Sequence, residues 1–260
     1  MLDGLRTPFR VFGAAALCLG GCAHRSLSPD GLRQVHRPAF VSWIEDGAGP
    51  KSRVFREDPS YQGKLKRLDP KEADRRLQVK LAKAISRFET SDRLRAVALA
   101  NLPKEPPWTS AVDPAKVASA LESFLVEQVP ANSPDYELLK PLGADTVVEF
   151  VIEDFGLRSA DGRAAAYVSG RGRMFILGGS ELWRQSFRLE QPNQPGLDPF
   201  RVAEEPEVYR SELSRLLDAA ALQFAGELNP QGKPNLGQIQ QEQPKGYEVD
   251  GEAGKSSLGR

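Results

Sequence analysis

The sequence predicts an α+β fold: an antiparallel meander of three or more strands, covered on one face by amphipathic helices. Two observations carry this. Residues 146–189 alternate apolar and polar side chains and are interrupted by Gly-containing turns, the signature of half-buried strands joined as hairpins. Three other segments, opening at residues 69–70, 113–114 and 206, repeat apolar residues at helical spacing behind start signals, so each offers one apolar stripe that needs a sheet or helix to cover it. With 260 residues, 40% of them hydrophobic, the chain is long enough to enclose a core in one domain.

In chain order, residues 1–10 carry Arg6 and Arg10, and "VFGAAALCLGG" (11–21) is an uncharged apolar run of eleven. A bilayer core requires about 20 residues, so the run is too short to span it, but it suits the apolar centre of a signal peptide. Cys18 and Cys22 lie four apart at its end. Their flanks are a leader and a polar stretch, which do not build a metal or redox site. Leu19-Gly20-Gly21-Cys22 instead resembles the bacterial lipobox. The resemblance implies cleavage between Gly21 and Cys22, a diacylglyceryl group on the Cys22 thiol, acylation of the new amino terminus, and loss of Cys18. An ordinary secretory signal cut elsewhere is the alternative. One acyl chain anchors a protein marginally and two or three do so stably, at about 0.8 kcal/mol per buried methylene. The residue after the cysteine is Ala23, not the aspartate that retains lipoproteins at the inner membrane of enteric bacteria. The expected location is therefore the periplasmic face of the outer membrane of a Gram-negative cell.

Residues 22–38 are polar with Pro29, Gly31 and Pro38 as breakers, and read as a flexible tether, with a reach on the order of 20 Å. The folded domain is expected over 39–228. "AFVSWIED" (39–46) is a strand candidate with Phe40, Ser42 and Ile44 on one face. Asp69 at an N-cap and Pro70 at the first helical position start a long helix whose buried stripe is Leu77, Leu81, Ala84, Ile85 and Phe88. After the register breaks at "ETSD" (89–92), "RLRAVALANL" is read as a further helix. Asp113 and Pro114 repeat the start signal ahead of Val117, Ala118, Leu121, Phe124 and Leu125.

In the meander, Val148, Phe150 and Ile152 share one face of the first strand, with Glu149 and Glu153 on the other. The second strand places Ala166, Val168, Met174 and Ile176 against Tyr167, Arg171 and Arg173. The third places Trp183, Phe187 and Leu189 on one face and turns Arg184 and Arg188 away. The closing helix carries Tyr209, Leu213, Leu216, Leu217, Ala220, Phe224 and Leu228, the cleanest helical stripe of the chain. Residues 229–260 are Gln-, Pro- and Gly-rich and read as a disordered tail.

Composition narrows the function classes. Lys+Arg and Asp+Glu number 35 each, and removal of residues 1–21 leaves 33 and 34, so no global charge draws the chain to nucleic acid. Every Cys and His lies before residue 37, which argues against a zinc site, a thiol enzyme or a His-based triad in the domain. No phosphate-loop pattern is present, and no cofactor or metal is expected.

Two constellations remain. Arg76, Lys80, Lys83 and Arg87 recur at helical spacing as a basic stripe, which serves either as a solvated face or as a binding surface for a partner, an anionic glycan or lipid. Glu149, Glu153 and Asp154, with Asp145, offer either a carboxylate pair for periplasmic hydrolysis or counter-ions for Arg171 and Arg173 across the strands. The order of elements resembles small lipoproteins of the Gram-negative envelope that serve transport, secretion or polysaccharide-export machines. That resemblance implies a non-catalytic accessory subunit, anchored by lipid and binding another envelope protein.

Overall fold

The computed structural model describes residues 24–103, 108, 110–125, 134–190 and 196–229. Its centre is one mixed sheet of five strands: β1 (Pro38–Ile44), β2 (Lys51–Ser52), β3 (Thr146–Ala160), β4 (Arg163–Ile176) and β5 (Glu181–Glu190), in the order β1-β3-β4-β5. The expected meander is β3-β4-β5, antiparallel throughout. The expected strand at 39–46 is β1, and it lies parallel to β3 on the far side, with β2 continuing along that same side. The fold is therefore α+β as the pattern predicts, with two parallel pairings that the alternation of residues could not reveal.

The helices are α1 (Pro29–Leu32), α2 (Val54–Glu57), α3 (Pro70–Ala84), α4 (Arg87–Ala100), α5 (Pro114–Ala120), α6 (Glu122–Leu125), α7 (Pro199–Glu204) and α8 (Glu207–Glu227), with 3₁₀ turns at Pro59–Leu65 and Tyr136–Leu142. Start signals act as read: Asp69 accepts from the Lys71 and Glu72 amides, and Asp113 from that of Ala115, each satisfying amides that the first helical turn leaves free.

The long helix expected through Phe88 is two. Ile85 is extended, and Ser86 opens α4 with a capping box to Glu89. The turn between them moves Phe88 out of the stripe, and it is 54% exposed.

Helices α3, α4 and α8 pack over one face of the sheet. There Phe224 of α8 stacks on Phe150 at 5.0 Å and meets Phe187 and Trp183 edge-on at 5.3 and 5.6 Å, the offset and edge arrangements that aromatic quadrupoles favour. A side chain at Gly172 would start 2.5 Å from the Trp183 ring, so this glycine gives the aromatic cluster its room. The face expected to be bare is also covered, but only in part: Val117 and Leu121 of the α5–α6 segment and Leu139 join Val41, Trp43, Val147 and Val151 in a second apolar cluster over β1 and β3. A bulge at Glu153, between the pairs Ile152–Gly170 and Asp154–Ser169, shifts the parity of β3. Beyond it Phe155 and Leu157, not even-numbered residues, point into the main core.

Residues 24–38, expected as part of a free tether, are packed on the domain. Arg25 exchanges two backbone hydrogen bonds of 2.9 Å with Arg184 of β5, Leu27 and Val35 are buried in the main core, and Ser28 caps α1. Residues 1–23, with the expected signal sequence, and the expected tail from residue 230 lie outside the described residues.

Candidate functional site: an arginine-lined sheet face

The groups singled out in the sequence divide in three. Gly21 and Cys22 lie outside the described residues. The basic stripe is not one surface. Arg76 shares Glu72 with Arg75, Lys80 and Lys83 stand exposed on α3, and Arg87, now in α4, turns its guanidinium to the carbonyls of Ile44 and Glu45 at 2.9 and 3.1 Å. The break at Ile85 separates it from the other three.

The carboxylates are committed to cations and donors. Glu149, fully buried, accepts from Trp43 Nε1 at 2.9 Å, from the Tyr136 hydroxyl and from Arg173 Nε. Burial and the neighbouring Glu149 charge push the Tyr136 phenol far above its ordinary value, so it stays protonated and donates. Glu153 pairs with Arg171. Asp154 lies 3.0 Å from Lys51 Nζ and 2.9 Å from Arg53, with the Tyr167 hydroxyl at 3.4 Å. Asp145 accepts from the His36 and Arg37 amides. The cross-strand pairing of Glu149 with Arg173 and Glu153 with Arg171 is thus realised, and the four acids occupy separate environments.

The feature that emerges from the register is a row of like charges. Arg25 stands opposite Arg184, Arg184 opposite Arg173, and Arg173 opposite Glu149. Directly opposed residues project from the same face of a sheet, with Cβ atoms about 5 Å apart, and like charges so placed repel. Arg171 lies opposite Ser186 and Arg188 opposite Ser169 on the same face. Five arginines therefore crowd the part of this face that the α5–α6 segment leaves open.

The inner members are compensated and the outer ones are not. Glu149 serves Arg173, which also lies 4.9 Å over the Phe175 ring, while Glu153 serves Arg171 and Glu181 serves Arg184. Arg25 and Arg188 are exposed and have no carboxylate within ion-pair distance among the described residues. The parity of Arg171, Arg173, Arg184 and Arg188 is legible in the strand pattern. The place of Arg25 is not, because its segment reads as a tether.

Among the described residues no cluster of His, Cys, Asp and Glu is arranged to hold a metal ion, and no helix is long and apolar enough to cross a membrane. Compared with known proteins, the chain matches no protein-family profile and no curated protein. Some solved structures align with it at low identity and low TM-score. A hypothetical protein, CT253 from Chlamydia trachomatis, is 11% identical with a TM-score of 0.38, over 74% of this chain and 98% of that one. A PelC dodecamer from Paraburkholderia phytofirmans is 12% identical at 0.33, over 79% and 94%. Lipoprotein GNA1162 from Neisseria meningitidis is 13% identical at 0.30, over 69% and 99%.

Proposed function

We propose that this chain is a non-catalytic lipoprotein, acylated at Cys22 and held at the periplasmic face of the outer membrane, whose α+β domain is an accessory subunit of an envelope transport, secretion or assembly system. One observation carries the reading: the sequence Leu19-Gly20-Gly21-Cys22 at the end of an eleven-residue apolar run behind Arg6 and Arg10. Lipid modification needs that run, that cysteine and the small residues before it, and all three are present.

The carboxylates support the non-catalytic half. A glycosidase-type pair requires one acid free to protonate a leaving group and one free to attack or activate water. Glu149 is enclosed by Trp43, Tyr136 and Arg173, and Glu153 and Asp154 are bound to arginine or lysine. Their arrangement suits folding more than hydrolysis.

Two experiments test the proposal. Cells fed radiolabelled palmitate should label the wild-type chain, and Cys22→Ser should abolish the label and release the protein from membranes. Continued labelling of that variant would refute acylation at Cys22. In-cell cross-linking of the anchored protein should trap a discrete envelope protein; adducts with lipid alone would overturn the accessory role.

A further inference from the structure

We propose that the open arginine face of β4 and β5 rests on anionic phospholipid headgroups, so that the domain lies flush against its membrane by the β5 edge. The inference rests on acylation at Cys22 and goes beyond it, to a lipid-binding surface and an orientation.

Chain length gives the first argument. Only Ala23 and His24 separate Cys22 from Arg25, and three residue steps reach at most about 11 Å even when fully extended. Arg25 is fixed to Arg184 by its two backbone hydrogen bonds. The interfacial layer on each side of a bilayer is about 5–7 Å deep. An acyl-bearing Cys22 therefore brings the Arg25–Arg184 end of the sheet to the headgroup layer. A domain riding some 20 Å away on a tether is incompatible with that attachment.

Charge gives the second. The surface brought to the membrane is the row Arg25, Arg184 and Arg173 with Arg171 and Arg188 beside it. Glu149, Glu153 and Glu181 offset three of these, with Glu45 also 3.9 Å from Arg171, and Glu190 and Glu227 at the rim face Arg158 and His24. Among the described residues, Arg25 and Arg188 remain for an external anion. Guanidinium forks match phosphate oxygens two at a time, and a surface of phosphodiesters would relieve the repulsion within the row. The remainder of this face, over β1 and β3, is closed by the α5–α6 segment, while Lys80 and Lys83, exposed cations of the opposite face, stand on the single helix α3 and not opposite one another across strands.

The test uses the full lipidated chain. In it Cys22 is blocked by lipid and Cys18 removed, so Ser186→Cys introduces a single free thiol between Arg184 and Arg188. A fluorophore there, in phosphatidylglycerol-containing vesicles, should be strongly quenched by headgroup-level quencher lipids. The same fluorophore at Gln78→Cys, exposed on α3 over the other face, should be quenched several-fold less. Adding Arg25→Glu and Arg188→Glu should lower quenching at residue 186 at least threefold, as should replacing phosphatidylglycerol by phosphatidylcholine. A palmitate-labelled protein with equal quenching at 186 and 78 would overturn the orientation while leaving acylation intact. Quenching at 186 that ignores both charge reversal and lipid composition would overturn the anionic-headgroup contact. A wild-type chain that takes up no palmitate would bring down this inference together with the reading it rests on.

Discussion

The two faces of the sheet solve opposite problems. On one, Phe150, Trp183, Phe187 and Phe224 interlock with no charge among them. On the other, β4 and β5 present Arg171, Arg173, Arg184 and Arg188, with Arg25 joined to their edge. The first arrangement is what a fold requires: apolar area removed from water at about 25 cal/mol per Å². The second runs against local stability, since arginines stand opposite arginines. The proposed headgroup contact rests on this second surface, whose like-charged neighbours the packing of the core does not require.

Truncation at the centre of the aromatic face should have the largest effect. Phe224→Ala removes a ring in contact with three others and should cost about 3–5 kcal/mol, read as a fall in the denaturant midpoint with an unchanged slope. A loss under about 1 kcal/mol would mean that the aromatic cluster is not the core of the fold. Glu149 lies beneath the ionic face and comes next. Glu149→Ala strips Trp43, Tyr136 and Arg173 of their common acceptor and should cost about 2–4 kcal/mol. Glu149→Gln keeps an acceptor for Trp43 and Tyr136, and the partly exposed Arg173 can turn to solvent, so it should cost about half as much.

Acid separates the two faces as well, because ring contacts are indifferent to protonation. Asp58, buried at the end of the β3–β4 hairpin, accepts from the Ser159 hydroxyl and the Ser60 and Gly162 amides. Burial pushes its pKa up, but these hydrogen bonds outweigh burial and hold it at about 2, against 3.8 ordinarily. A carboxyl whose folded pKa is depressed adds stability above its unfolded value, and that stability fades as pH falls through the folded one. The contribution of Asp58 is therefore complete above about pH 4 and lost towards pH 2. Asp58→Asn should cost about 1–3 kcal/mol at neutral pH and should flatten the stability profile between pH 4 and 2. An unchanged acid profile would show that other carboxylates govern it.

How much of this was legible depended on the range of the cause. The α8 stripe from Tyr209 to Leu228 is a purely local periodicity, and every member is buried. The opposition of Glu149 to Arg173 was legible from parity, since a short hairpin fixes which residues can meet. The break at Ile85 was obscured because the apolar spacing runs on to Phe88; the local sign was Ser86 with Glu89, a capping box inside an apparently continuous stripe. Most hidden was residues 24–38. Two buried side chains, Leu27 and Val35, hold a stretch whose composition is that of a linker, and the pairing of Arg25 with Arg184 joins residues far apart in sequence. The arginine row, and so the candidate surface, depends on that pairing.

The smallest expected effect discriminates most sharply between the faces. Arg184 has Glu181 for a partner at 2.6 Å but stands between Arg25 and Arg173. A partly exposed ion pair contributes about 0–1 kcal/mol, and repulsion from two like-charged neighbours opposes it. Arg184→Ala should therefore change stability by less than about 0.5 kcal/mol in either direction, and the difference should shrink further in 1 M salt, where charges are screened within about 3 Å. A loss of 2 kcal/mol or more would make Arg184 a structural residue held by Glu181, and would weaken the case that the row exists for an external anion. Near-neutral stability together with a measurable loss of phosphatidylglycerol-dependent quenching at residue 186 would place its purpose outside the fold.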